Sequence, residues 1–141
     1  MLKNKKFVLG LLSIITTLGM MTINVKAEAL TSRVFGQDRI KTAVAVANSG
    51  WTKSDYAVIA NAWDFPDAVS SAPLAYKYSA PILLTNKASL TAELNSELDN
   101  LQVKHVFIAG GLGVVSPYVE AQIKAKGIDV QRLYGQNRYE T

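Results

Sequence analysis

Ten residues of this chain occur twice, 99 positions apart and without a gap, and that spacing limits what it can fold into. Arg33-Val34-Phe35-Gly36-Gln37-Asp38-Arg39-Ile40-Lys41-Thr42 returns as Arg132-Leu133-Tyr134-Gly135-Gln136-Asn137-Arg138-Tyr139-Glu140-Thr141. Five positions are identical and four more are like for like: Val/Leu, Phe/Tyr, Asp/Asn and Ile/Tyr. A period of this length suits a small domain in tandem and exceeds the unit of a short solenoid. The expectation is one complete repeat followed by the opening turn of a second that is cut off at Thr141, so the chain reads as a fragment of a longer array.

The segment ahead of the first copy reads as a targeting signal. Lys3, Lys5 and Lys6 precede an apolar run from Phe7 to Met21, and Val25-Lys26-Ala27 places small residues at −3 and −1 of a cleavage site. The apolar core of about 15 residues is short of the ~20 that span a bilayer. The domain expectation is therefore residues 1–27 as signal peptide, 28–131 as the first repeat and 132–141 as the start of a truncated second. Cleavage leaves no membrane segment.

Charge is read after that division. The whole chain has 15 basic and 11 acidic residues, but Lys3, Lys5, Lys6 and Lys26 all precede Glu28 and no acidic residue does. Residues 28–141 thus balance at eleven of each sign, which removes the bulk electrostatic case for nucleic acid or any other polyanion. With no cysteine, neither a disulfide framework nor a thiolate metal site is available. An exported, cysteine-free chain held together by its core fits a Gram-positive surface protein.

The periodicity alternates helix and strand. Ile40, Ala43, Val44 and Ala47 fall at i, i+3, i+4 and i+7, with Asp38 (Asn137 in the second copy) placed to cap the helix. Glu140 stands in capping-box position to Asn137. The shared glycine, Gly36 or Gly135, lets the chain turn into that helix. Tyr56–Ala60 is a short strand, followed by a loop with Asp64, Pro66 and Asp67 and a small-residue helix that Pro73 should break. Pro81–Thr85 is a second strand, apolar on both faces and so expected at the centre of a parallel sheet. Leu90, Leu94, Leu98 and Leu101 stripe a third helix, and Val103–Ala109 is a third strand. The fourth helix runs from Ser116 (cap) and Pro117 to Lys124 and Lys126, with Gly127 as its C′ residue. Ile128–Leu133 is the last strand. This order predicts an α/β fold with a mostly parallel sheet flanked by helices.

Val34–Ala43, Ala60–Ala68, Ala72–Ala75, Pro81–Thr85 and Ile108–Gly111 together resemble the clostridial cell-wall-binding repeat type 2, in that family's order and spacing across nearly all of residues 28–141. The resemblance implies a toprim-like α/β fold, usually in three packed copies. It also implies a module that holds a surface protein on the Gram-positive wall without a covalent bond, by binding an anionic secondary wall polymer. The implied partners are that polysaccharide and further copies of the repeat; from the residues themselves no cofactor, metal or nucleic acid is expected.

Candidate polymer-binding residues are Arg39, Arg138, Asp67, Gly110 and Gly111. A guanidinium in the first turn of a helix opposes the dipole by ~0.3–1 kcal/mol and calls for a compensating group. That group is a bound anion held by the guanidinium fork or, as the favoured reading, an ion pair with Asp38, Asp64 or Asp67 or a contact between repeats. Asp64 and Asp67 could pair over a metal or in acid/base chemistry, but helix capping explains both more simply. Gly111-x-Gly113-x-x-Ser116 lacks the first-strand context and the acidic residue of a dinucleotide site, and reads as a tight strand-to-helix turn that could still receive an anionic group. His105, the only histidine, lies mid-strand, and no Gly-x-Ser-x-Gly elbow exists, so a catalytic triad is not expected. Trp51, Trp63, Tyr76 and Tyr78 are core or interface anchors ahead of sugar platforms. The alternative is that the chain is the targeting end of a wall hydrolase of the N-acetylmuramoyl-L-alanine amidase type, and a lone repeat could also expose a self-association surface.

Overall fold

The computed structural model describes residues 31–135, and Arg33 opens a compact unit. Its elements are α1 (Arg39–Gly50), β1 (Tyr56–Asn61), α2 (Phe65–Ser70), α3 (Ala72–Lys77), β2 (Ile82–Thr85), α4 (Ala92–Asn100), β3 (His105–Ala109), α5 (Pro117–Lys124) and β4 (Asp129–Leu133). The four strands form one sheet in the order β2-β1-β3-β4, with every pairing parallel. The α/β expectation is met. The expected signal peptide and the second motif copy beyond Gly135, with Arg138, lie outside the described residues.

Alternation along the strands divides the core into two layers. Ala57, Ile59, Leu83, Val106 and Ile108 face one side, where Ala47 of α1, Leu94 and Leu98 of α4, and Val119 and Ile123 of α5 close over them. Val58, Ala60, Phe107 and Ala109 face the other side, which α2 and α3 cover through Ala68 and Ala75. Burial of a leucine such as Leu94 or Leu98, both essentially inaccessible, is worth about 1.5–3 kcal/mol. Glu97 is buried among them: Asn48 Nδ2 donates to its Oε2 at 3.3 Å, while Oε1 has no partner among the described residues.

Three local expectations are adjusted. β2 is an edge strand, although apolar on both faces; helices cover both sides of the sheet there, so burial above and below does not require a strand on each flank. Pro73 does break the second helix, which becomes α2 and α3 joined at Ser71. Gly127 adopts a left-handed φ of 78°, but α5 ends at Lys124 with Ala125 as its cap, so the glycine lies one position beyond C′.

The motif's own geometry is explicit. Asp38 caps α1 by accepting from the Lys41 amide at 2.8 Å. Thr42 Oγ1 accepts from the Gly36 amide at 3.0 Å and donates to the Asp38 carbonyl at 2.7 Å. This brings Gly36 so close to the helix that a Cβ would collide with the backbone of Lys41 and Thr42. Glycine is required here by close approach, which refines the expectation that it supplies a turn.

Candidate functional site

In an open parallel sheet, ligands collect beyond the C-terminal strand ends, where the strand order reverses. Here that point lies between β1 and β3, since the chain leaves β1 toward β2 on one side and later enters β3 on the other. Three loops meet at this edge: Ala62–Asp64 after β1, Asn86–Ser89 after β2 and Gly110–Ser116 after β3. Asn61 ties two of them together, donating from Nδ2 to the Val114 carbonyl at 2.5 Å and accepting from the Trp63 amide at 2.7 Å. The Lys87 carbonyl joins the third by accepting from Ser116 N at 2.9 Å.

An open cleft of about 590 Å³ lies at this edge, lined by Asn61, Trp63, Asp64, Asn86, Lys87 and Gly113 among others. Lys87 is exposed, and its ammonium has no partner among the described residues. Trp63 is 63 % exposed, and the Arg39 guanidinium stands 5.3 Å from its ring centroid. Arg39 Nη1 also donates to the Ala62 carbonyl at 2.9 Å. The compensation expected for this arginine is thus a strand-end carbonyl and an indole face; the structure shows no ion pair from it to Asp38, Asp64 or Asp67.

The two acidic residues behave differently from the capping expectation. Asp64 occupies the N-cap position of α2 without making a side-chain cap bond. Asp67 is buried in the first turn, and its Oδ2 packs on Gly110, where a Cβ would come within 2.6 Å of it. Burial raises the Asp67 carboxyl above the ordinary carboxylate range, with Asp64 adding a smaller push in the same direction. No group of three or more metal-ligating side chains occurs among the described residues.

Gly110 has φ 114°, a conformation that favours glycine, and its amide donates to the Leu133 carbonyl at 2.9 Å. The Gly111 carbonyl accepts from Val114 and Val115, closing the turn into α5. Asp67, Gly110 and Gly111 therefore form one neighbourhood behind the turn, and Arg39 belongs to another with Trp63.

Sequence reasoning missed the residue that fixes this turn. Arg132 donates from Nη1 to the carbonyls of Gly110 and Val115, both at 2.9 Å, and from Nε to Glu120 Oε2 at 3.0 Å. Its Nη2 lies 2.9 Å from the same carboxylate oxygen as an ionic contact without hydrogen-bonding geometry. The side chain is only 8 % exposed. Lys124 chiefly, and Arg132 next among the attractive partners, hold the Glu120 carboxyl below its ordinary range against the opposing effect of burial. The available signal was the arginine shared at the motif's first position.

The fold and its edge define a parallel α/β unit with an open cleft of mixed polar and aromatic lining at its strand ends. Residues 33–120 match the model of the family described as cell wall binding domain 2, and the chain belongs to that family. It is 40 % identical over 115 residues to N-acetylmuramoyl-L-alanine amidase LytC of Bacillus subtilis, covering 82 % of this chain and 23 % of that protein. Against the amidase enhancer of the same organism it is 34 % identical over 111 residues, covering 79 % and 16 %. Among solved structures, Cwp8 of Clostridium difficile superposes with a TM-score of 0.75 at 28 % identity over 96 % of this chain and 23 % of that one. Cwp6 of the same organism gives 0.73 at 32 % identity over 82 % and 20 %. The chain thus spans less than a quarter of each of these relatives, and the part of it that matches the family model is residues 33–120. No helix among the described residues is long and apolar enough to cross a membrane.

Proposed function

We propose that the chain is an exported, non-catalytic module that anchors a surface protein on the Gram-positive wall by binding an anionic secondary wall polymer at the C-terminal edge of its sheet. The observation that carries this reading is the cleft in which Trp63, backed by Arg39, shares a wall with Lys87, an exposed cation with no partner among the described residues. An indole offers a face to a sugar ring, and two cations beside it suit carboxylate or phosphate substituents. Asp67, buried beside Gly110 and without a side-chain hydrogen bond among the described residues, serves as a partner for sugar hydroxyls together with the turn at Gly110 and Gly111. Arg138 repeats the part of Arg39 in the following unit. The signal peptide ending at Ala27 supplies export.

Sedimentation with purified wall, before and after mild-acid removal of the secondary polymer, tests the reading. Retention on native wall and release from stripped wall is the expected result; equal retention on both would refute polymer recognition.

The likeness to amidase LytC favours a second reading, in which this module is the targeting end of a wall hydrolase. Genomic sequence continuing into a hydrolase domain after codon 141 supports it. Wall hydrolysis by residues 28–141 alone would overturn the non-catalytic assignment.

A further inference from the structure

Trp63, Asp64 and Lys87 line one cleft, and a purely anionic ligand leaves the carboxylate among them unexplained. Asp64 is exposed and makes no cap bond to α2; neither a hydrogen bond nor an ion pair reaches its side chain among the described residues. The two cations of this edge do not compensate it. Arg39 is engaged by the Ala62 carbonyl and the indole face, and Lys87 pairs with no acid.

The charges are also divided across the edge. Lys87 follows β2 on one flank of β1, whereas Asp67 lies against Gly110, which follows β3 on the other flank. Asp64 stands close enough to Asp67 to raise its carboxyl, an effect second to burial. A polyanion of uniform charge would be attracted on the β2 side and repelled on the β3 side, and like charges set against each other select against a ligand. A calcium ion on the acidic side would take about six to eight oxygen ligands, yet no group of three or more metal-ligating side chains occurs among the described residues. An ammonium group needs less, since its three donors are satisfied by one carboxylate and neighbouring oxygens.

We infer that the cleft reads a zwitterionic unit of the wall polymer, a sugar bearing both an anionic substituent and a free amine, with Lys87 on the anion and Asp64 on the ammonium. The inference rests on the cleft being the polymer site, and it makes Asp64 the residue that sets which polymer is taken. The amine belongs to an amino sugar or to an aminoacyl ester, which present the same ammonium to Asp64.

The test measures retention of the full chain and of its Asp64→Asn variant on purified wall. The wall is used native, N-acetylated with acetic anhydride in bicarbonate, treated with mild alkali, or stripped of its secondary polymer. Acetylation removes the ammonium charge and keeps every phosphate and carboxylate. The unaltered chain is expected to lose retention on acetylated wall by at least about threefold, the scale of an exposed ion pair. Asp64→Asn should bind native wall more weakly by a similar factor and lose nothing further on acetylation. Loss on alkali-treated wall as well assigns the amine to an aminoacyl ester, and loss confined to acetylated wall assigns it to an amino sugar. Equal or stronger retention of the unaltered chain on acetylated wall overturns the inference, as does tighter binding of Asp64→Asn to native wall, because a uniform polyanion gives those signs. Release by a chelator overturns it too, by putting a metal in place of the amine. Unchanged retention on stripped wall fails the polymer reading and the inference with it; loss on stripped wall with none on acetylated wall fails the inference alone.

Discussion

The guanidinium of Arg132 holds the carbonyl oxygen of Gly110 at 2.9 Å, joining the last strand of the sheet to the turn that ends the strand beside it. The same side chain reaches Val115 and Glu120, so one nearly buried charge satisfies two turn carbonyls and a helix carboxylate. Truncation leaves those acceptors without a donor and Glu120 without one of its two cations. Arg132→Ala should therefore cost about 3 kcal/mol, read as a lower urea midpoint, and Arg132→Lys should recover only part of it because an ammonium lacks the planar fork. Loss below about 0.5 kcal/mol would refute the clamp.

Asp67 is expected to make stability fall as pH rises. Its folded-state carboxyl is raised by burial first and by Asp64 second, so between its ordinary value and the raised one the native state holds the proton more tightly than the unfolded chain does. Ionising it above that window removes this advantage completely. Asp67→Asn should melt higher than the unaltered chain at pH 7, and the gap should close below about pH 3.9. A gap that widened on acidification would contradict the sign.

How much of this was legible from residues alone depends on the range of the interaction. Asp38, Thr91 and Ser116 each accept from an amide three residues on, and sequence spacing placed Asp38 and Ser116 correctly because a cap is local. The leucine stripe from Leu94 to Leu101 was equally readable, since helical period alone assigns it to the core. The edge position of β2 was not, because strand order is a pairing choice and its residues look the same with one strand neighbour or two. Asp67 passed for a cap because its burial depends on Gly110, far along the chain, with φ 114° and no side chain in the way. Arg132 was hidden for the same reason: its two carbonyl acceptors belong to a turn that no periodicity connects to it.

Glu97 is the least well satisfied buried side chain among the described residues whose role is not part of the edge. One carboxylate oxygen meets Asn48 at 3.3 Å and the other meets nothing. Removing a buried, half-satisfied polar group in favour of an apolar one of similar size is neutral to stabilising. Glu97→Met should hold or raise the urea midpoint, by up to about 1 kcal/mol, whereas Glu97→Ala should lower it by opening a void. A clear loss with methionine would show that the carboxylate has a partner.

Arg39 and Trp63 should separate wall binding from folding. Both side chains are at the surface, and their mutual contact is worth about 0.5–1 kcal/mol at an exposed site, so neither substitution should unfold the domain. If the strand-end cleft receives an anionic sugar, Trp63→Ala removes the ring platform, and Arg39→Ala and Lys87→Ala each remove a charge. Each charge substitution should weaken retention on purified wall several-fold in low salt and progressively less as salt rises, since exposed charges are screened within about 8–10 Å at physiological ionic strength. Trp63→Ala should weaken it at every salt concentration, because stacking is not screened. Wall sedimentation across a salt series, with circular dichroism to confirm the fold, distinguishes the two patterns. Retention unchanged in all three variants would move the polymer away from this cleft.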